Sequence, residues 1–456
     1  MSSWQELKKG VSDRLFEFDP EIASMIEREG NAQERYRLNL IASENYCSLP
    51  VQFALSNELT NKYAEGVPRR RYYGGCENID EIEALAQQRY CKLFGVDHAY
   101  VQPHSGSDAN LVAYSAILFQ KVRKSNKAQG EELRHQSVNQ TLMAMGVASG
   151  GHISHGYAMH LSALLFRTVL YEVDPETHLL DYDEIENTAM REKPLILLVG
   201  YSSYSRWIDF SRMREIADGC GAVLLVDMAH FAGLVAGGVC QGVHDPIPYA
   251  DLITFTTHKT FGGPRGGVVL CRNEWKEAVD RGCPLVLGGP LPHVIAAKAI
   301  AAKEASTPRF SQYAHATVRH AQIMADSFSR RGTVVISGGT DNHLILLDVH
   351  SSYGCTGKRA EEVLGSISIC TNRNLVPWDQ KSPLHTSGLR LGTTALTRRG
   401  LGEAEFIRIV EWIDKALRLS TQQPEQWEQE SQGMKQEVEE MLSRFPLYKG
   451  AYFDCG

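Results

Sequence analysis

Ala222-Val223-Leu224-Leu225-Val226-Asp227-Met228-Ala229-His230 is an apolar run that stops on a carboxylate. Five consecutive apolar residues of this kind predict a strand buried on both faces, as in a parallel sheet covered by helices. A second run, Ala250 to Thr254, predicts another such strand, and it is followed by Thr256-Thr257-His258-Lys259-Thr260 and the glycine-rich Gly262-Gly263-Pro264-Arg265-Gly266-Gly267. In open α/β sheets ligands gather beyond the carboxyl ends of the strands, and Asp227 and Lys259 both follow such ends. Alone, a lysine before glycines reads as a solvated loop charge. Paired with Asp227 it meets the two demands of pyridoxal phosphate: an amine for a Schiff base and a carboxylate that keeps the pyridine nitrogen protonated.

The same pattern extends outward. Helix-like periodicity at Ile79 to Leu93 and Phe210 to Ala217 alternates with strand-like runs at Leu195 to Gly200 and Ala222 to Val226, which predicts a mostly parallel sheet with helices on both faces. Residues 1–58 read as an N-terminal arm, with a helix over Asp19 to Gln33 and an extended stretch from Leu40 to Ser48. Residues 59–292 read as the large domain. Residues 293–456 read as a smaller C-terminal α/β domain, in which amphipathic stretches (Val294 to Glu304, Tyr313 to Arg330, Glu403 to Leu419, Gln429 to Phe445) flank strands at Thr333 to Ile336 and Leu344 to Val349. Lys121 to Gln140 is a polar surface insertion.

With 456 residues, 43% of them apolar, the chain can bury a substantial core. A formal charge of −7 argues against nucleic acid or an anionic membrane as the main partner and favours small-molecule chemistry. The ten cysteines form no C-x-x-C pair and no metal-ligand spacing, so no metal and no disulfide framework is expected. Met1 to Glu17 lacks the apolar run of a secretory signal, and no segment reaches the ~20 apolar residues of a membrane span. A cytoplasmic protein is the expectation.

Four further constellations carry chemistry. His104-Ser105-Gly106-Ser107-Asp108-Ala109-Asn110 precedes a helix and reads either as a phosphate cup or as a plain helix cap. Gly150-Gly151-His152-Ile153-Ser154-His155-Gly156 offers an imidazole to stack on a bound ring, to ligate a metal, or to serve structure alone. Leu389-Arg390-Leu391-Gly392 places one guanidinium in an apolar segment, suited to a substrate carboxylate or to an internal salt bridge. Asn61-Lys62-Tyr63-Ala64-Glu65-Gly66 and Arg70-Arg71-Tyr72-Tyr73-Gly74-Gly75 bring phenols and a carboxylate into one loop, either as a general acid–base or as an interface.

Together with Leu40-Ile41-Ala42-Ser43-Glu44-Asn45, Ser337 to Leu344 and Ser387 to Gly392, these segments resemble serine hydroxymethyltransferases from about Leu40 to Arg399. The resemblance implies an aminotransferase-like, fold-type I pyridoxal-phosphate enzyme. Its large domain would hold a mostly parallel seven-stranded sheet. The unit implied is a homodimer with shared active sites, compatible with a tetramer, that interconverts serine and glycine with tetrahydrofolate as cosubstrate. On that resemblance Lys259 carries the cofactor covalently, Asp227 pairs with the pyridine nitrogen and His152 stacks on the ring. Ser202 and His230 would bond the phenolic side, with Thr256 and His258 beside the lysine. Ser105, Gly106 and Ser107 would hold the phosphate with Gly288 and Gly289 of a second chain. Arg390 and Ser43 would orient the substrate carboxylate, Tyr63, Glu65 and Tyr73 would reach across the interface, and Val147, Gly151, Ile153, Ser382 and Leu384 would border the folate.

The chain departs from the family pattern at Pro284-Leu285-Val286-Leu287, at Thr394 and at Leu384. These changes bear on the folate side and leave the pyridoxal chemistry intact. A folate-independent β-hydroxy amino-acid aldolase, transaldolase or racemase, and a catalytically silent scaffold, are the competing readings.

Overall fold

The computed structural model describes residues 13–123 and 131–448. Residues 1–12, which include most of the Met1 to Glu17 stretch, and residues 124–130, in the middle of the polar insertion, lie outside the described residues. Around the latter, Leu118–Arg123 forms a π-helical turn and Glu131–Val138 a helix.

Seven strands form the central sheet: β1 (His98–Tyr100), β2 (Thr141–Met145), β3 (Arg167–Tyr171), β4 (Ile196–Gly200), β5 (Val223–Asp227), β6 (Leu252–Thr256) and β7 (Gly267–Cys271). Their order is β1-β7-β6-β5-β4-β2-β3, with every neighbouring pair parallel except those made by β7. The sheet is therefore mostly parallel, as the alternation of apolar runs and amphipathic segments implies. Side chains alternate along each central strand. Leu197, Val199, Leu224 and Val226 face one core, while Ile196, Leu198, Val223 and Leu225 face the other. Each of these fully covered side chains contributes roughly 1.5–3 kcal/mol of transfer free energy.

Helices close both faces. Phe210–Cys220 buries Phe210, Met213, Ile216 and Ala217, one stripe at helical spacing; Asp209 caps its start by accepting from the Arg212 N–H at 2.9 Å, and left-handed Gly221 ends it. Gly106–Ile117 covers the opposite face. The strand read at Ala250 to Thr254 runs instead over Leu252–Thr256, because Thr254 and Thr256 are buried ladder residues.

A four-stranded antiparallel sheet lies towards the C-terminus, in the order Val334–Val335, Leu344–Asp348, Gly388–Gly392, Asn372–Asn374. Helices Gly357–Ser366, Glu403–Gln422 and Pro424–Arg444 complete its core. Helix Pro292–Ala305 packs with the large core, held to helix Glu77–Phe94 by Arg89 donating to the Ala299 carbonyl at 2.7 Å. The changeover between cores falls inside helix Pro308–Arg330: Phe310 to Val318 pack with the large sheet, and Ala321 to Phe328 with the small one. The arm is woven into both, since Leu38–Asn39 pairs with Ile369–Cys370 while Ala42 and Val51 join the large core. Among the described residues no helix is long and apolar enough to cross a membrane.

Candidate active site

Beyond the carboxyl ends of β1, β2, β4, β5 and β6 lies a cavity of about 420 Å³. Each strand delivers its chemistry there through the loop that follows it. β5 ends on Asp227, β6 on Thr256 shortly before Lys259, and β4 at Gly200 just before Ser202. Ser43, Ser105, Gly106, Ser107, His152, Ser202, Asp227, His230, Thr256, His258, Lys259 and Arg390, widely separated in sequence, all line this one space.

Asp227 is buried and fully engaged. Its Oδ2 lies 2.9 Å from His155 Nε2 and accepts from Asn110 Nδ2 at 2.9 Å, while Oδ1 accepts the Ala229 N–H at 3.0 Å. Burial alone would raise its pKa. The hydrogen bond and charge of His155, with the Asn110 hydrogen bond, outweigh that and hold the carboxyl well below the usual carboxylate range. Lys259 moves the opposite way: burial lowers its amine to about 8, with Asp227 opposing and the Arg390 and Arg265 charges adding to the depression. His152 and His258 are both pushed down to about 3, chiefly by burial, so both rings are neutral.

Ser105 opens helix Gly106–Ile117 and accepts from the Asp108 N–H at 3.1 Å. This capped helix start borders the cavity, and the dipole and remaining N–H groups of such a start suit an anion. Gly267 lets β7 approach it: a Cβ there would stand 2.2 Å from the Ser105 carbonyl oxygen. Arg390, on the central strand of the small sheet, donates to the Ser202 carbonyl at 2.7 Å and to Asn372 at 3.1 Å. Burial lowers its pKa to about 10, which leaves it a cation.

The other sequence candidates are not among the residues that line this cavity. Tyr63 and Tyr73 meet edge to face at 4.8 Å on an exposed loop, with the Tyr63 hydroxyl 3.5 Å from Glu65 Oε1. Gly289 sits beside the Tyr63 ring, where a Cβ would lie 3.5 Å from it. Gly288 precedes it. Val147 opens the turn Val147–Ser149, Gly151 is buried against the backbone of β2, and Ile153, Ser382 and Leu384 are exposed. Sequence reasoning gave no role to His155, Asn110, Glu44, Tyr201, Arg265 or His343. His343 stacks on His230 with ring centroids 5.5 Å apart. All six lie inside the quoted motifs or next to a named residue, which is the signal that pointed to them.

The residues suit pyridoxal phosphate. Ser202 Oγ and His258 Nδ1, both on residues that line the cavity, are buried polar atoms without a hydrogen-bond partner, and a polar ligand would satisfy them. A buried amine of lowered pKa, a carboxylate held ionised and a helix start suited to a phosphate complete the match. Sheet and cavity together define a fold-type I pyridoxal-phosphate enzyme. The family model of serine hydroxymethyltransferase matches residues 15–413. The chain belongs to the serine hydroxymethyltransferase family. It is 50% identical to the serine hydroxymethyltransferase of Treponema pallidum over 94% of this chain and 79% of that protein. Identity is 45% to that of Cutibacterium acnes, over 96% and 94%, and 46% to that of Chlamydia trachomatis serovar L2, over 96% and 92%.

Proposed function

We propose that the protein reversibly transfers the hydroxymethyl carbon of L-serine to tetrahydrofolate, giving glycine, 5,10-methylenetetrahydrofolate and water. The observation that carries this reading is the convergence of Lys259, Asp227 and Arg390 on one cavity. Pyridoxal phosphate, when bound, supplies an electron sink for the pair left as the serine Cα–Cβ bond parts. Lys259 is the residue that holds it covalently, its amine made available by burial. Asp227, kept ionised by His155 and Asn110, holds the pyridine proton in place. His152 covers the ring, Ser202 and His230 bond its phenolic side, and Thr256 and His258 border the lysine. Ser105, Gly106 and Ser107 take the phosphate at the helix start.

Arg390 and Ser43 orient the amino-acid carboxylate. Glu65 moves the protons required as the carbon is transferred and water is lost, with Tyr63 and Tyr73 beside it. The exposure of these phenols supports a homodimer in which the 63–73 loop and Gly288-Gly289 of one chain serve the cavity of the other. Val147, Gly151, Ile153, Ser382 and Leu384 border the folate. Nine cysteines, all free among the described residues, support a cytoplasmic setting.

The test is serine cleavage with and without tetrahydrofolate. Folate-dependent turnover of serine is expected. Serine cleaved no faster with folate, together with efficient splitting of threonine or allo-threonine, would assign the protein to the aldolases instead.

A further inference from the structure

Lys298 is fully buried in the middle of helix Pro292–Ala305, where sequence pattern alone places it among alanines. Its Nζ donates to three main-chain carbonyls: Val101 at 2.7 Å, Pro103 at 2.8 Å and Gly267 at 2.8 Å. Each donor of the ammonium is engaged, and peptide dipoles answer its charge. Burying a lysine is costly unless hydrogen bonds and opposing dipoles answer its charge, as these three carbonyls do.

The three carbonyls belong to the two segments that flank the Ser105 loop. Val101 and Pro103 lie on the segment from β1 to Ser105, and Gly267 opens β7 directly after the glycine-rich turn that follows Lys259. Pro103 O also accepts the Gly267 N–H at 2.9 Å, so Lys298 closes a three-way joint. Gly266 makes room for it: a Cβ there would stand 2.5 Å from Lys298 Cε. The Thr257 N–H donates to the Gly266 carbonyl at 3.1 Å, carrying the joint to within two residues of Lys259.

We infer that Lys298 is a positioning residue for the phosphate-holding loop Ser105-Gly106-Ser107, its ammonium fixing that loop against the glycine-rich turn beyond Lys259. The inference rests on the pyridoxal-phosphate reading of the cavity. It separates the phosphate from the rest of the cofactor, because the joint touches the cup and not the ring-binding residues Asp227, His152 or Ser202.

The test compares the affinities of cofactor-free protein for pyridoxal phosphate and for pyridoxal, which lacks the phosphate, by absorbance titration. Lys298→Met keeps the volume and removes the lysine's hydrogen bond from all three carbonyls, Pro103 O keeping only the Gly267 N–H. About a tenfold or greater loss for pyridoxal phosphate is expected, with pyridoxal changed less than about twofold. Gly266→Ala retains the lysine but crowds its Cε, and reads the same ratio should the methionine variant not fold. Unchanged affinity for pyridoxal phosphate, or equal losses for both aldehydes, would overturn the inference, since a merely structural lysine weakens both alike. Unmutated protein that takes up neither aldehyde would sink the proposed function itself, which is a different result.

Discussion

At the scale of single residues, Lys259 lies among groups that all act on its proton affinity: burial lowers it most, Asp227 raises it, and Arg390 and Arg265 lower it again, leaving the pKa at about 8. Only the neutral amine attacks an aldehyde, so uptake of pyridoxal phosphate by cofactor-free protein should accelerate as pH rises and reach half its plateau rate near pH 8. Stopped-flow absorbance checks this, and a midpoint above pH 10 would mean that the cavity does not perturb the lysine. Asp227 answers to a different demand, since in the proposed reaction its charge would act on the ring nitrogen. Asp227→Asn should still bind cofactor yet lose about a hundredfold or more in serine turnover, as expected when one preorganised charge is removed from a dry site. Lys259 and Asp227 were legible in the sequence because each ends or follows an apolar run. Lys298 was not, because nothing in the letters says which lysine is buried or what it touches, and although His155 stood in a quoted motif, nothing there showed that it, rather than His152, would meet Asp227.

Elements position what residues perform. The 63–73 loop is held by Arg71, which donates to Asp80 at 2.8 Å, to Glu83 at 2.7 Å and to the Ala64 and Gly66 carbonyls at 2.9 Å, on either side of Glu65. Gln102 joins the clamp, donating to Glu83 at 2.8 Å and to the Gly66 carbonyl at 2.9 Å. Glu83 is buried, so Arg71→Met would strand a carboxylate and should cost about 3–5 kcal/mol in urea unfolding. Glu65→Gln, by contrast, leaves the clamp intact. It should retain the visible absorbance of bound cofactor while folate-dependent turnover falls about a hundredfold, and normal turnover would remove Glu65 from its role. Apolar stripes are local signals and place the helices, but not all their starts: the stretches beginning at Tyr313 and Gln429 are preceded by a further turn that opens on Pro308 and Pro424. The strand beginning at Leu252 was read early because threonine looks like loop until a neighbouring strand buries it.

Across the whole molecule, periodicity identified amphipathic helices but not which core each one serves. Helix Pro308–Arg330 shows why: it has one continuous apolar stripe, yet its first half packs with the seven-stranded sheet and its second with the four-stranded one. That assignment depends on tertiary packing, which no window along the chain contains. The same holds for the site: eleven of its twelve gathered residues stand in quoted motifs and Ser202 is named only through the family resemblance, whereas the separation of Tyr63, Glu65 and Tyr73 from the Lys259 cavity appears only in three dimensions. That separation has a genetic consequence. If the two halves of the machinery meet only between chains, two dead alleles can rescue one another: dissociated and remixed Lys259→Ala and Glu65→Gln proteins should regain about a quarter of the native rate, because half the random pairs are mixed and each mixed pair rebuilds one intact centre. A mixture that stays as inactive as its parents would show that each chain works alone.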